Sequence, residues 1–223
     1  MEGSLFVILR RCRRIFFSQD PSLAQDDNIT MVITIQQAIT ILNQGGVGIF
    51  PTDTAFGIGC RMDNEVAITR LFRLRRRPKT QATPVLVSGI AMAQAYLLPI
   101  PEQVKRDLLE KYWPGALTIV LPCKKEKVSE FVRGEGNNLG VRQPNHQVAQ
   151  SLIAGVGVPL LGPSANFHGE QTPYSIEGLD RELMKLVDFV LPGECTVKEA
   201  STVINCAVEP WEILRQGAVS LKE

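Results

Sequence analysis

The sequence has little of what usually identifies a metal or redox protein. It has two histidines and five cysteines among 223 residues, and no two cysteines form a C-x-x-C pair. An odd number of dispersed cysteines argues against a disulfide scaffold and favours a reducing, cytoplasmic compartment. Without clustered thiols, His146 and His168 do not make a tetrahedral zinc site, so we expect no metal held by protein side chains.

Several motifs and composition signals are also absent. The chain has no G-x-x-x-x-G-K-[ST] loop, no Rossmann glycine fingerprint and no G-x-S-x-G elbow, since Ser164 lies in Gly-Pro-Ser-Ala-Asn instead. No stretch approaches the ~20 apolar residues of a membrane span, so we expect no membrane association. The formal net charge of +1 does not by itself indicate a nucleic-acid binder.

The first thirty residues differ in composition from the rest. A short apolar patch at 5–9 precedes an arginine cluster at 10–14, the reverse of the order in a secretory signal. We expect residues 1–30 to be a disordered N-terminal extension, with Met31 as an alternative start. An organelle presequence is the other interpretation, and Asp20, Asp26 and Asp27 argue against it.

Beyond residue 31, apolar strands alternate with amphipathic helices. Segments 32–35, 47–50 and 116–121 are predicted strands, and the spacing predicts helices at 65–76 and 176–186. A mixture of this kind indicates an α/β (α+β) domain, in which one twisted, mixed, open sheet is flanked by helices. Small polar residues follow several strands, where open α/β sheets tend to bind ligands.

The first polar loop follows the predicted strand 47–50. Thr52, Asp53 and Thr54 supply two hydroxyls and a carboxylate that can bind a polar ligand, and Phe56 could form an apolar wall beside them. The alternative is a Thr/Asp-rich turn that caps itself.

An arginine run is the second feature. Six cations lie between residues 70 and 79 with no acidic residue among them. Helical spacing predicts that Arg73, Arg76 and Arg77 lie near one face, with Arg70 a turn earlier. Guanidinium groups bind phosphate and carboxylate in a bidentate manner, so an anion site is one interpretation; a solvated helix face is the other.

The remaining signals are individually weak. Ser164 and Asn166 can jointly hold a phosphate or ribose oxygen, or merely stabilise a turn. Arg142 follows an apolar segment and Ser201 begins another. Nothing in the sequence brings a histidine near a nucleophile, so both histidines are interpreted as surface or packing residues.

Taken together and in order, eight segments resemble the Sua5/YrdC/YciO family. They are PTDTAFGIGC at 51–60, RLRRRP at 73–78, PVLVS at 84–88, WPGALTIVL at 113–121, LGVRQPNH at 139–146, GPSANFHG at 162–169, STVIN at 201–205 and ILRQG at 213–217. The resemblance implies a YrdC-like domain over residues 31–223, with a concave, basic cleft.

Family members have a Lys-x-Arg pair and a later Ser-x-Asn pair. By position, Arg77 matches the arginine, Ser164 and Asn166 match the later pair, and Arg75 stands where the family has lysine. The resemblance implies that these four are the catalytic residues. A second departure follows Pro78, where the family usually has Lys/Asn-Pro-Leu and this chain has residues 81–83 as Gln-Ala-Thr.

The resemblance also implies two substrate sites. The residues that match the threonine site are Thr52, Thr54 and Ser201. The residues that match the ATP site are Arg77, Gln81, Thr118, Arg142, Ser164, Asn166, Tyr174 and Arg215.

The implied activity is L-threonylcarbamoyladenylate synthase. Such an enzyme makes threonylcarbamoyl-AMP and pyrophosphate from L-threonine, bicarbonate and ATP, with Mg²⁺ bound to ATP as the cofactor. A downstream threonylcarbamoyl transferase complex would then modify tRNA. The sequence identifies no general base.

Two alternatives remain at this level. One is a YciO-like RNA-binding paralogue that binds tRNA or double-stranded RNA and has little or no adenylate synthesis; arginine at position 75 favours it. The other is a carbamoyl-transfer enzyme of related fold, as in hydrogenase maturation. The absence of C-x-x-C motifs argues against that second alternative.

Overall fold

The computed structural model describes residues 33–78 and 80–221. The predicted extension 1–30 and the domain boundary at residue 31 therefore lie outside the described residues. Within the two described ranges, none of the helices combines the length and the apolar composition of a membrane span.

Helices and short strands alternate along the chain. The helices are α1 (Ile35–Asn43), α2 (Glu65–Leu74), α3 (Ile90–Tyr96), α4 (Glu102–Val104), α5 (Glu110–Tyr112), α6 (Glu130–Arg133), α7 (Gln147–Val156) and α8 (Arg181–Leu186). The strands are β1 (Gly48–Pro51), β2 (Phe56–Gly59), β3 (Val85–Leu86), β4 (Leu117–Pro122), β5 (Asn138–Arg142), β6 (Leu160–Leu161), β7 (Phe189–Val190), β8 (Thr202–Asn205) and β9 (Glu212–Arg215). The predicted α/β class is confirmed.

The strands form mixed sheets, as predicted, but they form two rather than one. The smaller has the order β2-β1-β7 and the larger the order β6-β3-β5-β4-β8-β9. β1 is antiparallel to β2 and parallel to β7, while β4 is antiparallel to β5 and parallel to β8.

The prediction of a single sheet was wrong because the ladder between β2 and β6 is interrupted. Isolated bridges pair Gly57 with Ser164 and Arg61 with Leu160. Between them the Ile58 N–H donates to Pro163 O at 2.9 Å. Pro163 has no N–H to donate in return, so the two sheets meet along this seam without a continuous ladder.

Both faces of β1 and β3 are covered. Ile49 and Val85 belong to the larger apolar cluster, whereas their neighbours Phe50 and Leu86 belong to a second cluster with residues of α1 and α7. Alternate residues of a strand point to opposite faces, so these strands are buried on both sides. Because apolar residues pack against both faces of these strands, the strand ends and the loops that follow them are held in fixed positions.

Two predicted boundaries differ from the structure. Residues 33–35 are not a strand: Thr34 caps α1, its Oγ1 accepting from the Gln37 N–H while the Gln37 side chain accepts from the Thr34 N–H. This T-x-x-Q pattern is a capping box that the strand prediction overlooked. The predicted helix at 176–186 forms only from Arg181, where the Asp180 side chain caps it.

Two glycines end helices in the left-handed conformation and provide a matched test of backbone contact. Gly134 follows α6 with φ +59°, and Gly157 follows α7 with φ +76°. A Cβ at Gly134 would lie 2.4 Å from Ala82 N and 2.8 Å from Thr80 O, whereas a Cβ at Gly157 would meet nothing within 4 Å.

We predict that Gly134→Ala lowers the free energy of unfolding by about 3 kcal/mol, and Gly157→Ala by about 1 kcal/mol. Both variants bear the conformational strain, but only the first pushes against the backbone of the 80–82 segment. Denaturant unfolding of the two variants measures the difference. Equal losses would contradict the contact between Gly134 and that segment.

Candidate active site

A cavity of about 170 Å³ opens where the two sheets meet. Strand ends and the segment after α2 bring together side chains that are far apart in sequence. Its lining is Thr52, Thr54, Ala55, Phe56, Gly57, Arg75, Arg77, Pro84, Leu86, Thr118, Arg142, Gly162, Pro163, Ser164, Thr172, Ala200, Ser201 and Arg215. This lining contains four arginines and no acidic residue. The net positive potential of the cleft stays a prediction.

The loop after β1 both caps itself and lines the cavity. Thr52 Oγ1 donates to Ala55 O at 2.7 Å and lies 3.1 Å from Thr54 Oγ1. The self-capping turn and the ligand-site interpretation are therefore compatible. Because the turn is held by its own hydrogen bonds, both hydroxyls have fixed positions at the cavity wall.

Arg142 is held by a buried network that begins in the same loop. Its Nη2 pairs with Asp53 Oδ1, its Nη1 donates to Thr54 Oγ1 at 2.6 Å, and its Nε donates to Gly115 O at 2.9 Å. Burial lowers the pKa of Arg142, and the charge of Asp53 opposes that shift. The network fixes the guanidinium at the end of β5.

A second network lies at the ends of β4, β8 and β9. Thr118 Oγ1 is 2.9 Å from Ser201 Oγ, and Arg215 Nη2 donates to Ser201 O at 2.8 Å and to Ser201 Oγ at 3.1 Å. Burial lowers the pKa of Arg215. β4 and β8 are parallel neighbours in which Thr118 lies opposite Val203, so Ser201, two residues before Val203, is on the same face as Thr118.

The arginine run does not form one face. Helix α2 ends at Leu74, and Arg76 takes φ +54°, so Arg76 and Arg77 do not continue the helical face that includes Arg73. Arg70 pairs with Asp188. Arg76 stacks on the Phe167 ring, 4.2 Å from its centre. The predicted shared face was wrong because the helical period stops before it reaches the last three arginines.

Arg75 turns inward and is 3% exposed. Its Nε donates to Asn166 O at 3.0 Å and its Nη2 to Asn166 Oδ1 at 3.3 Å, while Nη1 is buried and has no partner among the described residues. Burial, and then the charge of Arg77, lower the pKa of Arg75 to about 10. Arg75 is therefore a buried cation that belongs to the cavity lining and has one donor nitrogen without a partner among the described residues.

Arg77 is held by main-chain carbonyls. Its Nε donates to Gln81 O at 3.4 Å and its Nη2 to Ala82 O at 2.5 Å. Burial lowers its pKa. The carbonyl acceptors belong to the segment that rests on Gly134, so the packing of α6 helps to orient this guanidinium.

Nine of the twelve predicted site residues line the cavity and three do not. Asn166 lies behind Ser164, whose Oγ donates to Asn166 Oδ1 at 2.5 Å. Gln81 is exposed and contributes its carbonyl to Arg77. Tyr174 is half-buried and lies close enough to influence the pKa of Arg215. Thr172 lines the cavity without having been predicted, and no sequence signal marked it.

The described residues include no group of three or more His, Cys, Asp or Glu side chains that could hold a metal ion. The cavity offers hydroxyl and guanidinium groups, which bind phosphate and carboxylate oxygens rather than a cation. The fold and the cavity together define an α/β protein whose candidate site is suited to anionic ligands.

Comparison with known proteins gives the family. The profile of the Sua5/YciO/YrdC family, described as telomere recombination, matches residues 40–217. A threonylcarbamoyl-AMP synthase from Vibrio vulnificus is 33% identical over 190 residues, which is 84% of this chain and 100% of that protein. The chain belongs to the Sua5/YciO/YrdC family.

Other relatives are longer. A threonylcarbamoyl-AMP synthase from Bacillus subtilis is 32% identical over 85% of this chain but 55% of its own length. The chain thus spans about half the length of that relative.

Among solved structures, Pyrococcus abyssi Sua5 in complex with L-threonine has a TM-score of 0.78 and 29% identity, covering 82% of this chain and 54% of that one. Escherichia coli YciO has a TM-score of 0.74 and 27% identity, covering 82% and 88%. Both likenesses agree with the mixed sheets and flanking helices described above.

The buried pair of Asp53 and Arg142 yields a stability prediction. Asp53→Ala leaves Arg142, which is 6% exposed, without its counter-charge, so we expect the free energy of unfolding to fall by about 3–5 kcal/mol. In the control, Asp63→Ala breaks the Arg61–Asp63 pair, whose Asp63 side chain is 43% exposed, and removes less than about 1 kcal/mol. Denaturant unfolding checks both; similar losses would contradict the assigned importance of burial.

His146 yields a pH prediction. Its Nε2 lies 3.2 Å from Glu194 O, and burial lowers its pKa. The unfolded chain therefore takes up a proton more readily than the folded one as pH falls below about 6.5, so His146 removes stability in that direction. We expect His146→Gln to flatten the decline of unfolding free energy between about pH 7.5 and 5.5. His168→Gln, at an exposed position, is the control; an unchanged slope in the His146 variant would contradict the prediction.

Proposed function

We propose that the chain is an L-threonylcarbamoyladenylate synthase, which forms threonylcarbamoyl-AMP and pyrophosphate from L-threonine, bicarbonate and ATP. The observation that carries the proposal is the convergence of Arg75, Arg77, Arg142 and Arg215 on one cavity that has hydroxyl groups and no acidic residue in its lining. Both substrates contribute anionic groups, and these side chains are suited to hold them. Relatives named threonylcarbamoyl-AMP synthase, one of which covers 84% of this chain, support it.

The reaction requires two bond-forming steps. The uncharged amine of threonine attacks the carbon of CO₂, which is in exchange with bicarbonate, and loses a proton to give an N-carboxylate. An oxygen of that carboxylate then attacks the α-phosphorus of ATP, and the bond to the β-phosphate oxygen breaks to release pyrophosphate. The first step creates a second carboxylate beside that of threonine, and the second brings this carboxylate against the triphosphate, so catalysis depends on positioning and on charge compensation.

The proposed division of the cavity assigns its side chains to the two substrates. Thr52 and Thr54, together with Ser201, would orient threonine. Arg75 and Arg77 would lie along the triphosphate.

Ser164 and Thr118 would hold oxygens near the α-phosphate, and Arg142 and Arg215 would compensate charge at the opposite wall. Magnesium would arrive bound to the phosphates of ATP, because the hydroxyl and guanidinium groups of the cavity do not favour direct coordination.

The proposal extends to partners and place of action. Threonylcarbamoyl-AMP is a reactive mixed anhydride, so we place the chain before a threonylcarbamoyl transferase complex that modifies tRNA. Direct binding of tRNA or double-stranded RNA is not needed for the synthesis step. A cytoplasmic location remains the prediction drawn from cysteine usage.

The direct test is pyrophosphate release from ATP, Mg²⁺ and bicarbonate with and without L-threonine. Threonine-dependent release is the expected result, and D-threonine is the control for recognition of the amino acid. Absence of release, together with tight binding of RNA that weakens steeply with salt, would instead support the RNA-binding paralogue.

Arg77→Ala provides the second test. Loss of a charge partner for the phosphates should lower kcat/KM by at least ~100-fold. Arg73→Ala removes an exposed arginine in the last turn of α2, before Arg77, and should change kcat/KM by less than about 2-fold, because Arg73 does not line the cavity. Near-normal turnover of the Arg77 variant would contradict the location of the site.

A further inference from the structure

The side-chain amide of Asn166 has no hydrogen-bonding capacity left for a ligand. Its Oδ1 accepts from Ser164 Oγ and from Arg75 Nη2. Its Nδ2 donates to Phe167 O at 2.9 Å and to Glu170 O at 2.7 Å. An amide offers two donor hydrogens and two acceptor lone pairs, and all four are used within the protein.

The partners also fix the orientation of that amide. Arg75 can only donate, and the carbonyls of Phe167 and Glu170 can only accept, so Oδ1 must face the guanidinium. The main-chain carbonyl of Asn166 accepts from Arg75 Nε as well. The main-chain oxygen and the side-chain oxygen of Asn166 therefore accept hydrogen bonds from two nitrogens of the same guanidinium.

The third nitrogen of Arg75 is free. Nη1 is buried and has no hydrogen-bond partner among the described residues, and Arg75 lines the cavity. A buried donor without a partner destabilises the folded chain, and a charged donor does so more strongly. A ligand oxygen in the cavity would supply the missing acceptor.

The charge around Arg75 indicates what kind of oxygen this is. Arg77 lies close enough to lower the pKa of Arg75 by repulsion, and neither arginine forms an ion pair with an acidic residue in the described part of the chain. Two adjacent uncompensated cations fit a multiply charged group. Of the two organic substrates proposed above, ATP carries such a group, whereas threonine carries one carboxylate.

We propose that Arg75 contacts a phosphate oxygen of ATP through Nη1, and that Asn166 is a positioning residue that acts through Arg75 instead of touching the ligand. The inference rests on the proposed function and assigns a role to the arginine that stands in the family's lysine position. The ammonium group of a lysine has a single nitrogen, so Asn166 could not hold it through two separate nitrogens as it holds the guanidinium. Arginine at 75 thus gives Asn166 a supporting task and leaves Ser164 as the polar side chain of that pair at the cavity wall.

A double-mutant cycle tests whether Asn166 acts through Arg75. Isothermal titration calorimetry measures the ATP dissociation constant of the wild type, Asn166→Ala, Arg75→Lys and the double variant. We expect Asn166→Ala to weaken ATP binding about 10-fold when Arg75 is present and less than about 2-fold in the Arg75→Lys background. Equal weakening in both backgrounds would mean that Asn166 contacts the ligand itself, and would overturn the assignment.

Steady-state kinetics separates positioning from a general structural role. Asn166→Ala should raise KM for ATP with little change in KM for threonine, whereas a disordered cavity would raise both and overturn the proposal. A chemical rescue adds an independent readout. Methylguanidine should restore ATP binding to Arg75→Ala at least ~5-fold when Asn166 is present, and should not do so in Arg75→Ala/Asn166→Ala. Thermal melting verifies that each variant folds, and Asn166→Ser replaces the alanine variant in the cycle if alanine prevents folding.

The outcomes distinguish this inference from the proposed function. A wild-type chain that binds ATP and shows the expected coupling, but releases no threonine-dependent pyrophosphate, would end the proposed function and leave the Arg75 assignment intact. Threonine-dependent pyrophosphate release, together with additive effects of the Asn166 and Arg75 substitutions on ATP binding, would support the proposed function and overturn the Arg75 assignment. A wild-type chain that does not bind ATP would overturn both.

Discussion

The seam between the two sheets is the constraint on which the candidate site depends. β2 and β6 approach each other through the bridges at Gly57–Ser164 and Arg61–Leu160, and the N–H of Ala165 donates to Phe56 O at 2.8 Å. This seam brings the loop after β1 against the loop after β6. The end of α2 joins them because the N–H of His168 donates to Arg75 O at 2.8 Å. A cavity formed at such a junction draws its side chains from every part of the chain.

The arginines of this cavity illustrate two solutions to the burial of charge. Arg142 has a carboxylate partner, so its burial is compensated within the protein. Arg75 is equally inaccessible but has only neutral acceptors, all from Asn166. Arg142, whose charge is balanced by Asp53, therefore forms a rigid part of the cavity wall. Arg75, whose charge is not balanced, still attracts an anion that enters the cavity. Binding of an anion that accepts from Arg75 would therefore stabilise the folded chain.

Sequence reasoning recovered features that depend on local pattern. The polar loop after β1 was predictable because Pro51 ends a buried strand and three small polar residues follow it. The mixed α/β class followed from the alternation of apolar segments, and the cavity-lining positions of Arg77 and Ser164 agree with the order of family motifs.

Features that depend on long-range packing were not predictable. The local sequence does not predict that α2 ends at Leu74, because no glycine or proline lies at that point. The residue that takes the left-handed conformation is Arg76. β2 was not predicted, since two of its four residues are glycines, which have low strand propensity. The bonds that occupy Asn166 come in part from Arg75, ninety-one positions earlier in the chain. Only the folded structure shows that all the hydrogen-bonding groups of this amide are occupied.

The way in which Arg77 is held explains how this chain tolerates unusual residues beside its site. Both acceptors for its guanidinium are peptide oxygens, at Gln81 and Ala82, and not side-chain atoms. Mutation can therefore change the side chains of this stretch without removing the acceptors, provided that the main chain keeps its path over α6. The Gln-Ala-Thr sequence at 81–83 therefore leaves the support of the Arg77 guanidinium in place, because that support comes from main-chain oxygens.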